Sequence, residues 1–318
     1  MSWPDFLIIG AMKAGTTSLY HDLGSNPAIF FPHDKEPESL LRDDVMTARG
    51  RQEYAGLFAG ARIDQVSGEA STSYSKLPTY AGVPRRARQL LGPGLRVIYL
   101  IREPVARLLS HHDHSSVSGG MPRDVDTAVQ ECPELIAYSR YAMQIEPWLD
   151  TFGESQVRVV AFERYVRDRL AVTTELSEFL GVAPRPDLVH ADCVYNRSEG
   201  KPVLTSAWRV VRDSWPYREL LRPILPRALV RAAYRCLLPK APPRPAPPTA
   251  ETVRLIIDRL REDIDRLPRI LGLGRPPWDM EQVLARYTSR EREEGGPPVR
   301  AASRNSSKPL PAGGPIHR

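Results

Sequence analysis

The segment that decides the fold is Phe6-Leu7-Ile8-Ile9-Gly10-Ala11-Met12-Lys13-Ala14-Gly15-Thr16-Thr17-Ser18. An apolar run leads into a loop of small residues and then into a helical pattern, which predicts a strand, a loop and a helix in succession. In such a unit the N–H groups of the loop and of the first helical turn converge on one point, and that point binds an anion. The sequence therefore predicts a phosphate-binding loop.

The position of the lysine distinguishes this loop from the loop of nucleotide triphosphatases. There the GxxxxG spacing is followed by Lys and then Ser or Thr, whereas here Thr16 and Thr17 follow Gly15 and the lysine is Lys13, inside the loop. A lysine at this position is expected to arch over a short, diphosphate-like group. A magnesium-dependent nucleotide kinase or NTPase on a related fold is therefore an alternative, and a disfavoured one.

A second strand-to-helix junction also carries anion-binding groups. The run from Val97 to Ile101 is typical of a buried parallel strand, and Pro104 is suited to open a helix. Arg102 follows the strand and Ser110 lies about two turns along the helix. Because α/β folds bind ligands at the carboxyl edge of the sheet, this guanidinium fork and hydroxyl predict a second phosphate site.

Other segments complete the prediction of the fold class. Residues 157–162 form a further strand-like run and residues 66–69 a shorter one, while apolar residues at helical spacing lie between the strands. Such alternation is typical of a parallel sheet. We therefore predict an α/β protein with a P-loop-like, three-layer fold, in which helices flank a central parallel sheet. The last long helix is expected to kink or end at Pro268.

Both junctions resemble those of the sulfotransferases that use 3′-phosphoadenosine 5′-phosphosulfate (PAPS), in the branch of bacterial and heparan-sulfate-type enzymes. The run PDFLIIGAMKAGTTSLY is similar to their 5′-phosphosulfate loop, and LIREPVARLLS to their 3′-phosphate segment. The resemblance implies one sulfotransferase domain over residues 1–287, with PAPS as the co-substrate. The residues that it implies for binding PAPS are Lys13, Ala14, Gly15, Thr16, Thr17, Ser18, Arg102 and Ser110.

The run from Gly68 to Tyr74 resembles the catalytic segment of the same branch. The resemblance implies an in-line displacement in which Glu69 accepts the acceptor's proton and Lys13 stabilises the departing phosphate, with no metal required. Adenosine 3′,5′-bisphosphate (PAP) is then released. Some relatives have lysine where this chain has Ala70. If a second lysine assists catalysis here, it must come from elsewhere in the chain, and Lys35 is our candidate.

Two histidines near the second site suggest a metal-binding alternative. His111 and His114 share a helix face, but a metal site needs three or four convergent ligands, so we do not favour it. The three cysteines lie far apart without CxxC spacing, which predicts neither a disulfide framework nor a thiolate metal site.

The positive charge of the chain is concentrated in one region. The net charge is +6, and residues 203–240 contain eight basic and two acidic residues. We predict a basic helical insertion followed by a Pro-rich loop over residues 203–248. This insertion could bind an anionic acceptor, lie on a membrane surface, or pack on the domain with its arginines in water, and the last is the usual outcome. It does not specify the acceptor, since a glycan, a glycolipid or a metabolite would all suit, and we expect no nucleic-acid partner. A non-catalytic basic protein that binds nucleic acid or membranes is the second alternative, but it would leave the phosphate loop unexplained.

The ends of the chain and its hydropathy complete the expectations. Residues 288–318 are rich in Gly, Pro, Ser and Arg, which predicts a disordered tail. Residues 1–5 show no basic stretch typical of a secretory signal, and no apolar run reaches the length of a membrane span, so we expect a cytoplasmic protein. No motif specifies the oligomeric state.

Overall fold

The computed structural model describes residues 2–117, 119–191, 193 and 245–295, with residues 291–295 described by their backbone alone. Its sheet has five parallel strands in the order β2-β3-β1-β4-β5. The strands are β1 (Phe6–Gly10), β2 (Ile29–Phe30), β3 (Val66–Ala70), β4 (Arg96–Ile101) and β5 (Val157–Ala161). The predicted parallel sheet and its four strand-like runs are confirmed, and β2 is an additional short edge strand.

Helices follow or connect these strands. The helices are α1 (Thr16–Gly24), α2 (Ala48–Gly56), α3 (Val83–Leu91), α4 (Pro104–Val117), α5 (Val125–Glu131), α6 (Glu134–Ala137), α7 (Tyr141–Phe152), α8 (Phe162–Arg167), α9 (Arg169–Phe179), α10 (Ala250–Ile270) and α11 (Met280–Gly295). A 3₁₀ segment, Thr72–Ser75, directly follows β3.

The order of the strands determines where a ligand can bind. The connection from β1 leads to one side of the sheet, to β2, and the connection from β3 passes β1 to reach β4 on the other side. Because such crossovers are right-handed, α1 covers one face and α3 and α7 cover the other. Consistent with this, α1 packs on α9, whereas α3 packs on α7. The direction reverses around β1, so the carboxyl end of β1 lies at the crevice where α/β folds bind ligands.

Two apolar clusters stabilise this arrangement. The larger cluster surrounds the sheet, and in it all five residues of β1 are buried. The smaller cluster joins α4, α5 and α6 to α10 and α11. The helices after residue 245 therefore pack on the helices that follow β4, and α10 also packs on α7.

The structure corrects two predicted boundaries. Helix α10 continues past Pro268 to Ile270, because a proline this close to the end of a helix removes only one of its last hydrogen bonds. Helix α11 continues to Gly295, so residues 288–295 are helical and do not belong to a disordered tail. Leu284 and Tyr287 anchor this helix on the smaller cluster.

Parts of the predicted insertion and tail lie outside the described residues. These are residues 203–244 of the insertion and residues 296–318 of the tail. In the described part of the chain, no helix combines the length and the apolar character needed to cross a bilayer.

Candidate active site

The loop between β1 and α1 has a backbone suited to binding an anion. Lys13 and Gly15 both have left-handed conformations, with φ of 71° and 89°. The turn is closed by a hydrogen bond from the N–H of Ala14 to the carbonyl of Ala11, at 3.1 Å. Gly15 is the N-cap of α1, and no side chain caps this helix end. The N–H groups of Thr16 and Thr17, at the start of α1, thus have no intrahelical acceptor and are suited to bind an anion.

Arg102 joins the two predicted phosphate sites. Its Nη1 donates a hydrogen bond to the carbonyl oxygen of Lys13 at 3.0 Å, and its guanidinium lies 4.9 Å from the centre of the Phe162 ring. The Tyr141 hydroxyl donates to the carbonyl of Arg102 at 2.6 Å, which holds the backbone at this position. The loop after β1 and the residue after β4 are therefore in direct contact, although they are 89 positions apart in sequence.

Ser110, the other residue predicted to bind the 3′-phosphate, lies on α4. Its side chain is partly exposed, and the next residue, His111, is buried. The His111 ring stacks on Tyr138, with ring centres 5.8 Å apart. The pKa of His111 is lowered to about 3, mainly because the ring is buried. The positive charges of Arg107, Lys76 and Lys13 lower this pKa further. His111 is therefore neutral near pH 7, and it lies within electrostatic range of the phosphate loop.

The geometry does not support the predicted role of Glu69 as a base that contacts the acceptor. Its side chain is 0% exposed. The Tyr54 hydroxyl donates to one carboxylate oxygen, Ser71 Oγ donates to the other at 2.7 Å, and the Tyr74 hydroxyl is a further partner. Burial raises the pKa of Glu69, and these hydrogen bonds oppose that rise. An acceptor cannot reach a carboxylate that is enclosed in this way.

Two other glutamates lie at the carboxyl edge of β3. The Glu36 side chain is 36% exposed; its Oε1 pairs with Lys35 Nζ at 2.5 Å and its Oε2 accepts from Thr72 Oγ1 at 3.3 Å. Glu38 Oε1 accepts from Ser73 Oγ at 2.5 Å. The loop that carries both glutamates is tied to β3, because the N–H of Glu36 donates to the carbonyl of Ala70 at 3.0 Å.

Backbone strain marks the same region. Among the described residues, the non-glycine residues with a positive φ are Lys13, Glu36 and Glu38. Each such conformation costs about 1–3 kcal/mol and persists only where the surrounding structure enforces it, typically at functional sites. Strain at these three positions supports a function for the two glutamates as well as for the lysine.

Lys76, like Glu36 and Glu38, has no role predicted from the sequence. It follows the 3₁₀ segment, and its Nζ donates to Ser73 Oγ at 3.0 Å. The preceding residue, Ser75, donates its hydroxyl to the carbonyl of Ile9 at 2.8 Å, just before the phosphate loop. No sequence pattern announces these residues, since a lysine and two glutamates in loops are ordinarily solvated.

In the residues that the structure describes, no group of three or more His, Cys, Asp and Glu side chains could hold a metal ion.

The known proteins that this chain resembles are sulfotransferases. A family model described as a sulfotransferase domain matches residues 3–213. A bifunctional heparan sulfate N-deacetylase/N-sulfotransferase of Drosophila melanogaster is 26% identical over 216 residues, which cover 58% of this chain and 20% of that protein. Heparan sulfate glucosamine 3-O-sulfotransferase 5 of Mus musculus is 24% identical over 196 residues, which cover 57% of this chain and 54% of that protein. This chain thus spans about a fifth of the length of the bifunctional relative and about half that of the other.

A solved structure supports the fold. The crystal structure of a sulfotransferase from Alicyclobacillus acidocaldarius matches with a TM-score of 0.59 and 22% identity, over 86% of this chain and 98% of that one. At this identity the likeness establishes the architecture of the sheet and its helices.

Proposed function

The chain belongs to the sulfotransferase domain family, and we propose that it transfers a sulfuryl group from PAPS to a hydroxyl or amine of an acceptor. The observation that carries this proposal is the hydrogen bond from Arg102 to the carbonyl of Lys13. It brings the two predicted phosphate sites to the carboxyl end of β1. PAPS carries anionic groups on both sides of its ribose, so one bound molecule would contact both sites.

The proposed binding mode assigns each side of the nucleotide to one junction. Lys13, the N–H groups of residues 15–17 and the hydroxyls of Thr16, Thr17 and Ser18 bind the 5′-phosphosulfate, and Ala14 lines the loop with its N–H closing the turn. Arg102 and Ser110 bind the 3′-phosphate. Phe162 supports this arrangement, since it packs against Arg102 and lies close to Gly15.

The reaction proposed is an in-line displacement at sulfur. The acceptor oxygen or nitrogen forms a bond to sulfur while the bond from sulfur to the phosphate oxygen breaks, and that oxygen keeps the electron pair. PAP leaves with the added charge, which Lys13 and the loop N–H groups stabilise. The acceptor's proton moves to a carboxylate at the edge of the site.

We propose that Glu36 accepts this proton and that Glu69 has a positioning role. Glu36 is partly exposed and strained, whereas Glu69 is enclosed. Glu69 holds the Ser71 hydroxyl, and Ser71 Oγ in turn accepts the N–H of Glu38 at 3.2 Å. Glu69 would thereby shape the loop that presents Glu36 to the acceptor.

The acceptor class follows from the relatives only as a proposal. The named relatives include an N-sulfotransferase and a 3-O-sulfotransferase of heparan sulfate. We therefore propose a glycan or a small molecule that presents an amine or hydroxyl. The expectations of a cytoplasmic location, of metal independence and of no nucleic-acid partner stay predictions. Membership of the family favours neither the kinase nor the non-catalytic basic protein.

The first test is a calorimetric titration with PAP in EDTA, in parallel with ADP and Mg²⁺. We expect metal-independent binding of PAP, weakened about 10- to 100-fold in Lys13→Ala and in Arg102→Ala, because each change removes a charge-assisted contact. Arg88→Ala, an exposed change on α3, is the control and should bind PAP normally. A preference for ADP with Mg²⁺, or no binding of either nucleotide, would contradict the proposal.

Transfer itself is measured as PAP release from PAPS by chromatography. De-N-sulfated heparan sulfate supplies amine acceptors and p-nitrophenol a simple hydroxyl acceptor. We expect acceptor-dependent PAP release by the wild-type protein and loss of at least 100-fold in Lys13→Ala, since one lost transition-state donor typically costs about 10²–10³ in rate.

A further inference from the structure

The position of Lys76 is set by the segment that precedes it in the chain. The 3₁₀ segment before it packs on β1, and Ser75 lies so close to Gly10 that a Cβ at residue 10 would come within 2.0 Å of Ser75 Oγ. Lys76 therefore follows directly on the residue that contacts the start of the phosphate loop.

The contacts of the Lys76 side chain leave its charge without a direct counterion. Its Nζ donates to Ser73 Oγ at 3.0 Å and lies 5.9 Å from the centre of the Tyr138 ring. Within the described part of the chain, no carboxylate lies within 4.0 Å of this ammonium. A partly buried cation that touches a hydroxyl and an aromatic face is poorly compensated, and an anion bound beside it would supply the missing charge.

The charged groups around Lys76 connect it to the rest of the site. Glu38, linked to it through Ser73, and Glu36 are its negative neighbours, and Arg107 is its positive neighbour. The positive charges of Lys76 and Lys13 both lower the pKa of His111. Lys76 thus lies between the two strained glutamates on one side and the α4 residues next to Ser110 on the other.

Lys35, the lysine predicted from the sequence to assist, is arranged differently. Its Nζ pairs directly with Glu36 Oε1 at 2.5 Å. A carboxylate therefore already compensates the Lys35 charge, whereas the charge of Lys76 remains available to a substrate anion.

We propose that Lys76 supplies the second positive charge at the reaction centre and stabilises the sulfuryl oxygens of bound PAPS during transfer. The inference rests on the proposed function. It makes Lys76, rather than Lys35, the partner of Lys13, with one lysine on each side of the sulfuryl group.

The test compares Lys76→Met, Lys76→Arg and the exposed control Arg88→Met. Calorimetry gives the Kd of PAPS and of PAP, and PAP release gives kcat. We expect Lys76→Met to bind PAP within about twofold of wild type, to bind PAPS about 10-fold more weakly, and to lose about 100-fold in kcat. Lys76→Arg should recover most of that loss, and Arg88→Met should match the wild type throughout.

The pH profile separates a charge effect from a packing effect. Burial lowers the pKa of Lys76, an effect that Glu38 and Glu36 oppose. The wild-type rate should therefore fall on the alkaline side at a lower pH than an ordinary lysine would cause. Because arginine stays protonated, this alkaline limb should disappear in Lys76→Arg.

Failure of this proposal is distinguishable from failure of the proposed function. Wild-type protein that binds neither PAP nor PAPS would overturn both. An active wild type would overturn only the Lys76 proposal if Lys76→Met kept its kcat within threefold, or weakened PAP and PAPS equally. A larger loss of kcat in Lys35→Met than in Lys76→Met would identify Lys35 as the second lysine that assists transfer.

Discussion

At the scale of single residues, the site concentrates strain and burial in a few glutamates. Glu36 and Glu38 take left-handed backbone conformations that cost about 1–3 kcal/mol each. Glu69, by contrast, lies in a strand and is enclosed by the hydroxyls of Tyr54, Ser71 and Tyr74. Glu36 and Glu38 are therefore partly exposed residues in strained backbone conformations, whereas Glu69 is a buried acceptor of several hydrogen bonds.

This difference predicts opposite phenotypes for two conservative substitutions. Glu36→Gln should lower kcat about 100-fold or more, because it removes the proposed proton acceptor, and should leave the free energy of unfolding nearly unchanged. Glu69→Gln should lower the free energy of unfolding by about 2 kcal/mol, because a buried carboxylate with several hydrogen bonds is lost. The measurements are kcat from PAP release and urea unfolding. A stable but inactive Glu69→Gln, together with an active Glu36→Gln, would return the base role to Glu69.

At the scale of secondary-structure elements, the site depends on how closely the phosphate loop meets α8. Gly15 has a φ of 89°, and a Cβ there would come within 2.8 Å of the Phe162 ring. The same ring supports Arg102. The glycine is thus required twice, for its conformation and for the approach of the aromatic ring.

A pair of glycine substitutions separates these two requirements. Gly15→Ala should lower the free energy of unfolding by about 2–4 kcal/mol, since backbone strain and overpacking add. It should also weaken PAP binding about 10-fold by displacing Phe162 and with it Arg102. Gly272→Ala is the control, because Gly272 has a φ of 64° at the end of α10 but no atom within 4 Å of the added Cβ. It should cost about 1–2 kcal/mol and leave PAP binding intact. Equal effects of both variants on PAP affinity would argue against the Phe162 contact.

At the scale of the whole molecule, helix α10 is linked to Arg102 through α7. Asp263 of α10 is buried, and its carboxylate accepts the N–H groups of Ala142 and Met143 at 3.0 and 2.9 Å. These groups belong to the first turn of α7, where a negative charge is favoured. Tyr141 begins the same helix and holds the backbone of Arg102.

A substitution in α10 should therefore reach the nucleotide site. Asp263→Ala should lower the free energy of unfolding by about 2–3 kcal/mol and weaken PAP binding about fivefold, because two buried N–H groups lose their acceptor and α7 loosens. Val253→Ala, in the same helix but in the smaller apolar cluster, should cost about 1–3 kcal/mol and leave PAP affinity unchanged. Urea unfolding and calorimetry measure both quantities. PAP affinity that follows stability equally in the two variants would rule out a specific link through α7.

The features that the sequence determined by itself are those encoded in contiguous residues. The strand, loop and helix of residues 6–24 and the junction at Arg102 were predicted and are confirmed, since the apolar runs, the glycines and the proline act on their immediate neighbours. The parallel sheet followed from repetition of the same unit, and the family followed from the two motifs.

The surroundings of the acidic and basic residues near those motifs depend on the tertiary structure. The sequence motif predicts Glu69 as the general base, but Tyr54, which lies 15 residues away, helps to enclose it. Glu36, Glu38 and Lys76 lie in ordinary polar loops, and folding brings them together at the edge of β3. Burial and electrostatic environment are sums over residues that are distant in sequence, so no local pattern could have revealed them.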